Sequence, residues 1–184
     1  MDIYQPAEDS YFLSDILKRQ IPLLLQSNPD LTFLEIGAGS GIHLETAYNS
    51  GIKKENIFSC DINPAVINHC NILGFHCIHS DLFENIKESF NLIAFNPPYL
   101  PEHQFDNLPD TSGGKKGDET VLRFLQQAKH HLKENGRIFL LLSSQTPMKN
   151  INNEFKNYYI NLLGNERLFH EELFIYELTL NHHP

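Results

Sequence analysis

A chain of 184 residues is long enough for one domain with a full core and too short for two comfortable ones. Its 14 basic against 23 acidic side chains leave a formal charge of -9, which repels phosphate backbones and argues against a nucleic-acid partner. No apolar run approaches the roughly 18 residues of a membrane span, the opening MDIYQPAEDSYF has no signal-peptide pattern, and Cys60, Cys70 and Cys77 without a CxxC spacing point to free thiols in the cytosol.

In chain order, Pro6 is expected in the first turn of a helix, with Glu8 and Asp9 favourable at its positive end. Phe12, Leu13, Ile16 and Leu17 then recur at helical spacing. LTFLEI (31–36) reads as a buried strand, GIHLETAYNSG as a helix closed by Gly51, and NIFSCDI as a second strand. NPAVINHCNILG is a helix with Asn63 as N-cap, Pro64 at its first position and Gly74 past its end. HCIHS and FNLIAF are the third and fourth strands. DETVLRFLQQAKHHLKENG is expected to form one helix, capped by Asp118, with Val121, Leu122, Leu125, Ala128 and Leu132 on one face and Gly136 as its stop. RIFLLLSS is a fifth strand, a helix follows near 147–158, and YYINLL and LFIYELTL look like a closing strand pair. Strands alternating with helices predict an α/β fold: a doubly wound, mostly parallel, seven-stranded sheet with helices on both faces and an antiparallel pair at its end. The expected organisation is a single domain over 1–184, an N-terminal helical cap (1–29) leading into a core (30–184). The loop 100–117, with Gly113, Gly114 and Gly117, is long enough to be functional or mobile.

LEIGAGSG places Gly37, Gly39 and Gly41 after the first strand in a GxGxG spacing. A dinucleotide GxGxxG would need glycine at Ile42, a GxSxG nucleophile elbow fails around Ser40, and a Walker A loop is absent. In a doubly wound sheet the strand ends form the ligand crevice. Here they carry Glu35, Asp61 and Asp81. Asp61 is placed to accept from both hydroxyls of a ribose, and Asp81 from the exocyclic amine of adenine. Three carboxylates with no basic phosphate clamp suit an adenosine ligand without phosphates, or a cationic one.

The fourth strand ends in FNPPYLP, where two prolines hold Asn96 and Tyr99 rigidly at the strand tip. A rigid exit turn alone needs neither an amide nor an aromatic ring. A planar NH2, whether of a glutamine amide or of adenine, is a poor nucleophile because its lone pair is delocalised. The Asn96 side-chain oxygen can accept one of its N–H groups, the Pro97 carbonyl the other, and Tyr99 can pack on its flat face. Such a clamp suits transfer of a methyl group from a sulfonium placed in line.

YQPAEDSYFLSDIL, LEIGAGSG, CDIN, SDLF, NPPYLP and GGKKGDETVLRFL, in this order over nearly the whole chain, resemble the class I S-adenosylmethionine-dependent methyltransferases with a Rossmann-like core. More narrowly, the chain is similar to the HemK-type family, in its eukaryotic and archaeal branch, which methylates N5 of a glutamine in translation release factors. The resemblance implies that Ser10, Glu35, Gly37, Gly39, Asp61, Asp81, Leu82 and Asn96 contact S-adenosyl-L-methionine or its surroundings, Leu82 through its backbone. It implies that Asn96, Pro97, Pro98 and Tyr99 hold the substrate amide. It also implies a small zinc-binding activator subunit forming a heterodimer. Strand three, with Phe75 and Ile78, is expected at a sheet edge open to strand addition by that partner. Adenine N6-methyltransferases share NPPY, so methylation of DNA or RNA is the alternative, and a non-catalytic adenosyl-ligand binder is a third. No metal site is expected: His69, Cys70, His76, Cys77 and His79 straddle a helix, a turn and a strand and so diverge.

Overall fold

The computed structural model describes residues 3–98 and 117–181. Tyr99, most of the 100–117 loop, and His182 and His183 lie outside the described residues.

Seven strands form one sheet: β1 (Phe33–Ile36), β2 (Ile57–Asp61), β3 (His76–His79), β4 (Phe90–Phe95), β5 (Leu132–Ser143), β6 (Tyr158–Arg167) and β7 (Glu172–Leu180). Their order is β3-β2-β1-β4-β5-β7-β6. The first five strands pair in parallel, and β7 lies antiparallel between β5 and β6. The expected doubly wound sheet with its antiparallel closing pair is therefore the architecture observed.

Alternation along the central strands sends side chains to two separate cores. Phe33, Leu92, Ala94, Phe139 and Leu141 pack under α1 (Glu8–Ser27), α2 (Ile42–Asn49) and α3 (Pro64–Ile72). Leu34, Ile36, Ile93, Phe95, Ile138 and Leu140 pack under α4 (Glu119–Ala128) and α5 (Met148–Glu154). The same parity places Glu35 on the α1/α2 face of β1, and Asn96, one step beyond Phe95, on that face of β4.

Local chemistry explains the helix ends. The Asn63 side chain accepts from the Ala65 N–H at 3.0 Å, capping α3, whose first residue is Pro64. Helix α1 starts just after the expected position: Ala7 is its N-cap, Glu8 its first residue, and Pro6 precedes it instead of lying in its first turn. The larger correction concerns 118–136. Helix α4 ends at Ala128, and Leu132 already belongs to β5. The His131 ring stacks on Phe83 at 4.5 Å and meets the Glu88 carbonyl at 2.9 Å, which turns the chain out of the helix. Gly136 is not a helix stop. It sits inside β5 at the irregularity where that strand joins β4, and a Cβ there would approach the Lys133 and Phe90 carbonyl oxygens to 2.8 and 3.0 Å. Asp118 makes no side-chain cap on α4 and instead accepts from Asn150 of α5 at 2.8 Å.

Strand β3 is an edge, as expected, but Phe75 is not on offer there. It is buried in the α-helical core beneath Lys54, 4.8 Å from its ring. Among the described residues, no group of three or more His, Cys, Asp or Glu side chains is arranged to hold a metal ion. No helix among them is long and apolar enough to cross a membrane.

Candidate active site

The carboxyl ends of β1, β2 and β4 open into a cavity of about 450 Å³. Its floor is the glycine turn, where Gly37, Gly39 and Gly41 have φ of 71, 50 and 80°, a left-handed conformation that side chains resist. The turn brings backbone close to the cavity, and the Asp61 carboxylate fixes it by accepting from the Gly39 N–H at 3.2 Å and from the Asn63 N–H at 2.8 Å.

Among the described residues, the structure gathers the predicted ones around this hollow. Ser10, Glu35, Gly37, Gly39 and Asp61 line one part of it. Asp81 and Leu82 close another side, and Asn96, Pro97 and Pro98 a third. Leu82 has φ 50°, unusual for a branched side chain and a strain of about 1–3 kcal/mol. Its carbonyl is pinned by the Ser80 hydroxyl at 2.9 Å and the Cys60 thiol at 3.3 Å, so the surroundings impose this backbone shape. Burial pushes the Cys60 thiol well above its ordinary range, so it is a neutral donor here.

Asn96 is the most informative of these side chains. Its NH2 donates to Asp9 Oδ2 at 2.8 Å. Its Oδ1 is buried, with no hydrogen-bond partner among the described residues, in a side chain that lines the cavity. A carboxylate can only accept, so Asp9 dictates which half of the amide it takes. Asp9 is itself held by the Ser10 N–H at 2.6 Å and the Tyr4 hydroxyl at 3.1 Å. Burial, and then the neighbouring Asp9 charge, push the Tyr4 hydroxyl far up, so it stays a donor.

A second polar chain runs to Glu35. His43 Nδ1 lies 2.5 Å from Glu35 Oε1, and His43 Nε2 lies 3.0 Å from the Ser10 carbonyl. Burial drives the Glu35 carboxyl up, opposed by His43; the imidazole is lowered by burial but raised overall by the Glu35 charge. The two groups share a tightly held proton.

Four of these residues escaped the sequence reading: Tyr4, Asp9, His43 and Arg123. Asp9 carried a signal, because it stands at i-3 and i-4 to Phe12 and Leu13 and so shares their buried face. Arg123 donates to Asp81 Oδ2 at 2.8 Å across the cavity rim, a contact between α4 and the loop after β3 that nothing local encodes.

The match to known proteins fits this geometry. The family model described as the methyltransferase small domain aligns with residues 14–166. The chain belongs to that family. This methyltransferase is 37% identical over 169 residues to a Methanocaldococcus jannaschii protein named for N5-glutamine methylation of protein, spanning 84% of this chain and 79% of that one. It is 26% identical over 177 residues to the eRF1 methyltransferase catalytic subunit mtq2 of Schizosaccharomyces pombe, spanning 82% and 76%. Among solved structures, the methyltransferase resembles the Mtq2–Trm112 complex of E. cuniculi, described as responsible for methylating the eRF1 termination factor. The TM-score is 0.77 with 24% identity, over 98% of this chain and 100% of that one, a likeness that carries the fold.

Proposed function

We propose that this methyltransferase transfers a methyl group from S-adenosyl-L-methionine to the side-chain N5 of a glutamine in a translation release factor. The observation that carries the reading is the Asn96 amide, its NH2 fixed on Asp9 and its buried Oδ1 left without a described partner at the cavity. An acceptor held in this way matches an N–H donor, and the Pro97 carbonyl supplies a second acceptor for the other hydrogen of a planar NH2. Two acceptors on one nitrogen oppose delocalisation of its lone pair and favour the pyramidal geometry needed for attack. Pro97 and Pro98, which line the cavity, would complete the grip on the amide, and Tyr99, outside the described residues, is the ring expected to pack on its flat face. The nitrogen needs no base before attack, since it becomes acidic only once it is alkylated.

The cavity suits the cofactor. Its volume of about 450 Å³ falls in the range of small-molecule sites. Glu35 Oε2 is buried without a described partner, an acceptor for the ammonium of an amino-acid tail. Asp61, at the end of β2, would take the ribose hydroxyls. Asp81 and the Leu82 backbone would take the adenine edge, and Ser10, Gly37 and Gly39 would surround the tail. When bound, S-adenosyl-L-methionine supplies an electrophilic methyl and leaves as S-adenosyl-L-homocysteine.

The proposed partner is a small zinc-binding activator that adds a strand at the β3 edge, and the place of action is the cytoplasm. The edge lies beside a hollow of about 110 Å³ lined by Phe58, Ile78, Ile86 and Phe90. Three free, buried cysteines suit a reducing compartment.

The test is methyl transfer from labelled cofactor to release factor or to DNA, with and without a candidate activator. Label is expected on the release factor, and Asn96→Ala is expected to lose transfer by at least about 10²-fold while S-adenosyl-L-homocysteine still binds. Full activity of that variant would reject the clamp, and label on DNA would select the adenine reading.

A further inference from the structure

A buried carboxylate beside a ligand cavity is useful only if something sets the direction of its two oxygens. Glu35 is 3% exposed, and its Oε1 is engaged by His43 Nδ1 at 2.5 Å. Its Oε2 has no partner among the described residues. His43 is 4% exposed and also lines the cavity. The Ser10 carbonyl beside Nε2 can only accept, so Nε2 carries a hydrogen, and one further proton lies between Nδ1 and Oε1. Both ring nitrogens are therefore committed to fixed partners. The ring cannot rotate without losing both, and Glu35 cannot turn Oε2 away from the cavity without losing His43.

The ring also bridges elements. Ser10 belongs to the first turn of α1, next to Asp9, which holds Asn96. Two polar chains thus leave one helical turn, one ending at the substrate clamp and the other at Glu35. Outside the His43–Glu35 pair itself, the charged groups acting on it are Asp9 on α1 and Asp61 on β2, both acidic, so the surroundings favour a cation at Oε2.

We infer that His43 is a positioning residue. It holds Glu35 so that Oε2 receives the ammonium of the cofactor's amino-acid tail, and it ties that carboxylate to the turn of α1 that sets Asn96. The inference rests on the cofactor-site reading above, and its test separates the two.

Binding of S-adenosyl-L-homocysteine and of 5′-methylthioadenosine, which lacks the amino-acid tail, is measured calorimetrically on the full chain. His43→Phe fills the space without hydrogen bonds and is expected to weaken S-adenosyl-L-homocysteine by about 10- to 100-fold. Its affinity for 5′-methylthioadenosine is expected to stay within about twofold of wild type. His43→Asn, whose amide can occupy the place of Nδ1, is expected to restore part of the lost discrimination. His43→Gln, which mimics Nε2 and reaches only Ser10, is not. Equal loss for both ligands would show a merely structural role and overturn the inference. Failure of wild type to bind either ligand would overturn the cofactor reading itself, and this inference with it. Nitrogen-15 NMR of the wild-type protein gives a test independent of any variant folding: the His43 ring protons should resist exchange, with Nδ1 and Nε2 both hydrogen-bonded. A ring that titrates freely near the ordinary value of about 6.5 would sink the proposal.

Discussion

An asparagine side chain offers a carbonyl on one side and an NH2 on the other, so its neighbours decide which half a ligand meets. At Asn96 the decision falls to Asp9, whose oxygens collect the Asn96 NH2, the Ser10 N–H and the Tyr4 hydroxyl. Asp9→Asn would leave a single acceptor oxygen for these donors. The Ser10 N–H and Tyr4 claim it, the new NH2 faces Asn96, and the Asn96 amide flips to present its own NH2 to the substrate. Methyl transfer is expected to fall about 10²-fold, as for a misplaced reacting group. Binding of S-adenosyl-L-homocysteine should be retained, and single-turnover kinetics beside calorimetry would check the pair of outcomes. Loss of binding in step with transfer would show that Asp9 serves the cofactor instead. The strand-tip carboxylates, the glycine turn and NPP were legible because local pattern puts them at one edge of a parallel sheet. Asp9 was legible only as a charge at a helix start. Its contact with Asn96 spans 87 positions, and no local rule reports such a contact.

At the scale of single elements, strands and capped helices could be read from periodicity and from the stop signals flanking them. The join between α4 and β5 could not. The apolar spacing through Leu132 continued the helical pattern, and Asn135–Gly136 imitated a helix end. What overrides it is tertiary: His131 packs on Phe83, the His131 carbonyl accepts from the Phe90 N–H at 2.8 Å, and Leu132 is already registered against β4. Asn135, at φ 58°, and Gly136 then absorb the irregularity within β5. Gly136→Ala would press a methyl against two backbone oxygens that cannot swing aside. A loss of about 1–3 kcal/mol in denaturant unfolding is expected. A variant as stable as wild type would mean that the β4–β5 register relaxes freely.

Over the whole molecule, the sheet has two unlike margins. β6 is ten residues long and joined to β7 by a hairpin, while β3 has only four residues. Ser80 N–H donates inward to the Asp61 carbonyl at 3.1 Å, so strand alternation turns the His79 N–H outward, away from β2. His79→Pro would remove that outward donor and leave the inner ladder whole. Gel filtration with the candidate activator is expected to show loss of the heterodimer, with the thermal midpoint of the isolated chain little changed. Persistence of the complex would move the docking site elsewhere.

The position of β7 also constrains how the molecule comes into being. This strand occupies the place between β5 and β6, although it is made after both. Until residues 172–180 leave the ribosome, β5 and β6 face a gap rather than each other, and the apolar side chains Leu173, Ile175 and Leu178 are missing from the interior. The nascent chain must therefore wait, unpaired and sticky, for residues 172–180 to thread into place, and the sheet locks only once that strand has been made.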